Sequence, residues 1–147
     1  MDKLSEAITL ATQAHAGQVD KGGAPYILHP LRVMLACKTE DERIAAVLHD
    51  VVEDTAVSAY QVLRQFGMAI HDAVYALTRR HDETYSCFIE RCAANPIARV
   101  VKLADIADNM DVSRLGRDPT MADLQRLNRY GDARNVLMNA IRSMEVE

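Results

Sequence analysis

Arg43-Ile44-Ala45-Ala46-Val47-Leu48-His49-Asp50-Val51-Val52-Glu53-Asp54 is the stretch that decides how this 147-residue chain is read. On a helix of about 100° per residue, with His49 at zero, Glu53 falls near 40°, Asp50 near 100° and Asp54 near 140°. Ile44, Ala45, Val47, Leu48, Val51 and Val52 fill the remaining arc. The spacing predicts a helix with one apolar face and one face bearing an imidazole and three carboxylates. An ordinary amphipathic helix relieves such crowding with Lys or Arg, yet no basic side chain lies between Arg43 and Arg64. A solvated acidic face is the plain account of the pattern. A divalent cation is the chemical one, because it neutralises several acids at once.

Working outward, Thr39-x-x-Glu42 is a capping box that opens this helix, which the pattern carries to about Glu53. Leu4 to His15 places Leu4, Ala7, Ile8, Ala11 and Ala14 at helical spacing, and Gly17 stops it. Gln18 to Pro25, with Gly22 and Gly23, reads as a loop, and Tyr26 to Lys38 as a second helix. Ser58-x-x-Gln61 is a second capping box, and Gly67 ends its helix. Met68 to Arg80, Glu83 to Ala94 and Ile97 to Asp111 follow, with Pro96 at a helix start. Gly116 to Pro119 is a turn, and Met121 to Met144 a long last helix with Gly131 as a kink point. Nothing alternates with period two. The expectation is an all-α, compact bundle of about seven or eight helices, forming a single domain over residues 1–147.

Composition narrows the classes. Apolar residues make up 49% and charged residues 26%, which excludes a disordered chain. A net charge of −4 argues against nucleic-acid polymers and anionic membranes as partners. The longest uncharged run, Ala7 to Val19, is too short to span a bilayer, and the N-terminal residues include Asp2 and Glu6 where a signal peptide is basic. A cytoplasmic protein is expected. Cys37, Cys87 and Cys92 are odd in number and irregular in spacing, so they read as free thiols.

Two further segments bear on the acidic stretch. His29 sits in Tyr26-Ile27-Leu28-His29-Pro30, where the proline holds an ordered turn. Asp105 and Asn109 lie four apart and share a helix face, with Asp105 following the apolar run Val100-Val101-Lys102-Leu103-Ala104. An acid on the inner side of a helix needs a partner. His29, His49, Asp50 and Asp105 form a two-histidine, two-carboxylate set that suits Mn, Fe or Zn.

The order H…HD…D resembles that of HD-domain metal-dependent phosphohydrolases. Lys21-Gly22-Gly23-Ala24-Pro25-Tyr26-Ile27-Leu28-His29-Pro30, then His49 to Thr55, then Val101-Lys102-Leu103-Ala104-Asp105 with Asn109, look like the hydrolase domain of RelA/SpoT-type proteins. The likeness runs from about Leu4 to Leu137 and is strongest to stand-alone small alarmone hydrolases. It implies a Mn²⁺ site, with Zn or Fe as alternatives, held by His29, His49, Asp50 and Asp105. It implies a nucleotide substrate: hydrolysis of the 3′-pyrophosphate of guanosine tetra- or pentaphosphate, giving GDP or GTP and pyrophosphate. Glu53 and Asp54 match the family's catalytic acidic pair, Lys21 a lysine of the nucleotide loop, and Asn109 a substrate-contacting asparagine. Arg114 is a further cation for phosphate. The larger relatives continue into a synthetase domain, so synthesis is not expected. Two positions depart. Asp20 stands where the family carries an arginine that stacks on guanine, and Val112, followed by Ser113, where it carries threonine. Both touch base or ribose recognition. Two other readings stay open: an HD phosphohydrolase acting on another nucleotide phosphate, and a non-catalytic metal- or nucleotide-binding module.

His15 reads as a helix-capping residue, His71 and His81 as solvent-facing, and Arg79-Arg80 as an exposed pair at a helix end. Tyr85 and Tyr130 are placed by no spacing.

Overall fold

A computed structural model describes residues 1–145. The helices are α1 (Lys3–Ala14), α2 (Leu28–Ala36), α3 (Glu40–Leu48), the single turn α4 (Val51–Asp54), α5 (Ala59–Phe66), α6 (Met68–Leu77), α7 (Tyr85–Ala94), α8 (Pro96–Asn109) and α9 (Met121–Glu145). A 3-10 turn at Val112–Leu115 links α8 to α9. No strand forms among the described residues beyond an isolated bridge between Val19 and Pro25. The all-α expectation holds: eight helices run eight residues or more.

Polar side chains set most boundaries. Asp2 caps α1 through the Ser5 amide, Thr84 caps α7 through Cys87, and Asn95 caps α8 through Ile97 and Ala98, with Pro96 in the first turn. Thr39 and Glu42 form the expected reciprocal box on α3. At α5 only half of the expected box appears: Ser58 accepts the Gln61 amide, with no return bond from Gln61. Gly67 joins α5 to α6 at φ 91°, a left-handed conformation that side chains resist. α9 runs unbroken through Gly131.

The core is organised around α3, which packs against α1, α2, α6 and α8. Ala45, Ala46, Val47 and Leu48 are each 0% exposed, so the helix end is buried on every side. Val33 of α2, Val74 of α6, and Val101 and Ile106 of α8 close on it, while Leu137 of α9 caps the α7–α8 side. This corrects the one-faced helix that the sequence pattern predicts. The predicted helix to Glu53 is also interrupted: α3 stops at Leu48, His49 and Asp50 form a turn, and α4 restarts at Val51. The wheel angles therefore do not hold across the break. The cause is local. The His49 amide bonds the Ala46 carbonyl at 3.3 Å, a three-residue closure that tightens the last turn and re-aims the chain beyond it.

Candidate metal centre

Three helices deliver the cluster. His29, in the first turn of α2, comes from a segment anchored by Tyr26, whose amide bonds the Gln18 carbonyl at 2.9 Å. His49 follows α3, and Asp105 lies on the inner side of α8. Their exposures are 6%, 2% and 4%, so all three are interior. His29 Nε2 stands 2.9 Å from Asp105 Oδ1, and His49 Nε2 stands 3.4 Å from the same oxygen. One donor atom from each lies within 4.8 Å of the others, a spacing that can hold a metal ion.

Asp50 sits at the edge of this trio. Its Oδ2 is 3.0 Å from His49 Nε2 and accepts the Tyr26 hydroxyl. It groups with Glu53 and Asp54, whose carboxylates lie within the same 4.8 Å of one another. The four-residue set read from the sequence is thus three compact donors plus Asp50, which joins them to the acidic pair.

His49 carries the decisive electrostatic fact. Its Nδ1 lies 2.6 Å from the Ala46 carbonyl, which can only accept, so the ring proton sits on Nδ1. Nε2 is then a lone pair, buried and without a hydrogen-bond partner, aimed toward two carboxylates. Acceptor facing acceptor in a dry interior is costly unless a cation stands between. Without one, a proton is drawn in. Burial opposes a charge on His49, yet Asp50 and Asp105 outweigh it and hold its pKa well above the ordinary imidazole value. The donor set of imidazole and carboxylate, with no thiolate, fits a borderline-to-hard divalent ion.

Asp105 is the most heavily supported acid. Burial alone would raise its pKa, but the Lys102 ammonium and the two histidines hold it well below the usual carboxylate range. Lys102 Nζ reaches Oδ2 at 2.7 Å while lying 4.9 Å above the Phe88 ring. Asn109 Nδ2 gives Oδ1 a bond of 3.1 Å. Asn109, read as a substrate contact, is therefore an exposed cleft-lining residue whose amide is engaged with Asp105.

Glu53 and Asp54 lie at the open side. Desolvation, together with the Asp50 charge, raises both pKa values, although the Arg79 amide donates to Glu53 Oε1 at 2.7 Å and pulls the other way. Both carboxyls therefore hold a proton more readily than an exposed acid does. That contact is made by the backbone of Arg79; its side chain and that of Arg80 are exposed just past the end of α6, as expected. His15 caps α1 through its backbone as expected, but its ring is buried against Tyr26 at 5.0 Å and bonded to Gln18. His81 is exposed; His71 is half-buried and stacked on Tyr75.

A cleft of about 290 Å³ opens beside the cluster. Lys21, Arg32, Asn109, Arg114 and Tyr130 line it. Gly22 makes its shape possible, because a Cβ there would overlap the Arg114 carbonyl. Arg114 is largely committed: it bonds the Asp108 carbonyl at 2.8 Å and Asp111 at 2.9 Å. Asp20 is committed too, since its Oδ1 accepts the Gly22 and Ala24 amides at 2.9 Å each.

Sequence reasoning passed over Arg32, Lys102 and Asp108, and quoted Tyr26 without a role. The signal was present as i, i+3 spacing: His29 with Arg32, Lys102 with Asp105, and Asp105 with Asp108.

The HD domain family matches residues 7–87. The guanosine-3′,5′-bis(diphosphate) 3′-pyrophosphohydrolase of Aquifex aeolicus is 31% identical over 121 residues, covering 74% of this chain and 17% of that protein. A probable GTP pyrophosphokinase of Mycobacterium leprae is 34% identical over 124 residues, covering 76% and 16%. The bifunctional (p)ppGpp synthase/hydrolase SpoT of Escherichia coli is 35% identical over 81 residues, covering 52% and 12%. The chain thus spans less than a fifth of the length of these curated relatives. A solved structure of a metazoan ortholog of SpoT, described as hydrolysing ppGpp with a role in starvation responses, has a TM-score of 0.75 over 98% of this chain and 96% of that one, at 24% identity. That likeness speaks to the fold.

Proposed function

This chain belongs to the HD domain family, and from that premise we propose that it is a metal-dependent phosphohydrolase that removes the 3′-pyrophosphate of guanosine tetra- or pentaphosphate. The observation that carries this reading is geometric: donor atoms of the buried His29, His49 and Asp105 lie within 4.8 Å of one another, with the Asp50 carboxylate 3.0 Å from His49 Nε2. Relatives that bear alarmone 3′-pyrophosphohydrolase names support the substrate class.

His29, His49, Asp50 and Asp105 would hold the ion, which we take to be Mn²⁺. A divalent cation there acidifies water and draws charge from a phosphoryl oxygen. Glu53 orients the attacking water and takes its proton, the role its raised pKa suits. Water adds to the phosphorus next to the 3′ oxygen, and that P–O bond breaks. The water's oxygen stays with pyrophosphate, and the 3′ oxygen takes up a proton that Asp54 can relay. Lys21 and Arg114, both on the cleft wall, offset phosphate charge. Residues 1–147 would act as one hydrolase domain in the cytoplasm; among the described residues no helix is long and apolar enough to cross a membrane.

The test is hydrolysis of guanosine tetraphosphate in Mn²⁺ with product identification. GDP and pyrophosphate are the expected products. Orthophosphate release would replace this reading with a phosphatase. A second reading, a phosphohydrolase for another nucleotide, is favoured by Asp20 alone: its carboxylate is folded into the loop and cannot stack on a base. Equal or faster turnover of an adenosine analogue would select it.

A further inference from the structure

Asp108 has no role in the proposed hydrolysis so far, yet its carboxylate is crowded with partners. Its Oδ2 is 2.6 Å from His29 Nδ1, and its Oδ1 is 2.7 Å from Arg32 Nε. Arg32 Nη2 adds a bond of 3.1 Å, and Arg114 Nη2 lies 3.3 Å away. The side chain is 11% exposed. Asp105 and Asp108, three apart on α8, straddle the His29 ring, with Asp105 at Nε2 and Asp108 at Nδ1. The two flanking acids differ in support. Asp105 is paired with Lys102 in the interior, whereas Asp108 is neutralised by arginines that line the cleft.

We propose that Asp108 is a positioning residue: it fixes the proton of His29 on Nδ1, so that the Nε2 lone pair is presented to the ion held with His49 and Asp105. His49 reaches the same tautomer by a backbone route, through the Ala46 carbonyl. His29 has no such carbonyl within hydrogen-bond reach of Nδ1, and Asp108 takes its place. A carboxylate on the far nitrogen both orients an imidazole and makes it a stronger donor. Arg32 keeps Asp108 from remaining a bare buried charge. The proposal rests on the metal-dependent function proposed for this site, and its test separates the two.

Mn²⁺ titration of the apoprotein by calorimetry, with Asp108→Asn, Asp108→Ala and Arg32→Met, is the first arm. Asp108→Asn should weaken Mn²⁺ binding about tenfold and Asp108→Ala about 100-fold. Arg32→Met should bind within about threefold of the parent, since Arg114 still reaches Asp108 and His29 keeps its acceptor. If Arg32→Met costs as much as Asp108→Ala, the carboxylate matters only as an ion pair and the proposal falls. It also falls if Asp108→Asn binds Mn²⁺ as tightly as the parent, and this isosteric variant carries the test if Asp108→Ala does not fold. The second arm needs neither metal nor turnover. In the metal-free protein Asp105 faces Nε2 as Asp108 faces Nδ1, so nitrogen-15 histidine spectra should show His29 Nδ1 protonated in the parent and in Arg32→Met, and proton-free in Asp108→Ala. A parent with that proton but no Mn²⁺ binding would support the role of Asp108 at His29 and remove the functional reading instead.

Discussion

Between α6 and α7, Glu83 takes Arg91 Nε at 2.5 Å and Nη2 at 2.9 Å, and Arg91 also reaches the Thr78 carbonyl at 2.9 Å. At the start of α9, Asp123 gathers Arg117, Arg126 and the Thr120 amide. At the inner ends of α2, α3 and α8 the same kinds of residue meet, but His49 Nε2 ends without a partner. The outer groups saturate one another and serve stability. The inner ones are held by their surroundings in an arrangement they would not choose alone. The teaching is that buried imidazoles and acids converging on one another, more than the presence of charge, mark the site.

The comparison breaks most visibly at Asp105. Asp105→Ala leaves Lys102 buried without its acid and should destabilise the fold by about 3–5 kcal/mol, with loss of Mn²⁺ binding. Urea unfolding and metal analysis read both. A variant that keeps the metal would dissolve the distinction between the two regions.

Glu53→Gln sharpens the contrast from within the site. Fold and Mn²⁺ content should survive while turnover falls about 10²–10⁴-fold, the range for a general base. Steady-state kinetics beside metal analysis separates this from a loss of ligand. Unchanged turnover would return Glu53 to the solvated acidic surface.

In the outer region the expected effects are thermodynamic only. Arg91 holds the Glu83 carboxyl at about 2, below the ordinary 4.5. A lowered folded pKa adds stability above the unfolded value and gives it up as pH falls. The Glu83 contribution is therefore complete above pH 4.5 and disappears on acidification toward about 2. Unfolding curves of parent and Glu83→Gln should differ at pH 7, draw together below pH 4.5 and converge only toward pH 2, with turnover at pH 7 alike. The smallest change is Ser58→Ala, which removes the α5 cap and should cost about 1 kcal/mol. Thermal unfolding measures it, and Mn²⁺ affinity should not move.

Much of this was legible in the residues. Period, capping and glycine placement located the helices, because those signals are local. The motif stretches brought His29, His49, Asp50, Asp105 and the acidic pair to notice. The break at His49 was not legible, because Ala46, His49 and Asp50 are not helix-stopping residues, and the three-residue closure from His49 to the Ala46 carbonyl has no signal in their identities. Nor was the duty of Asn109 and Arg114, whose bonds to Asp105, Asp108 and Asp111 depend on how α8 meets the loop at Gly22.

The linear chain by itself determined a helical fold and an unusual concentration of imidazole and carboxylate, since composition and period suffice for both. Only the packed structure decided which acid answers which base. Lys102 neutralises Asp105, Asp108 takes the far side of His29, and a backbone carbonyl sets the proton of His49. Those pairings join residues as many as 79 positions apart, and hydrogen bonds act over a few ångströms of space regardless of the distance along the chain.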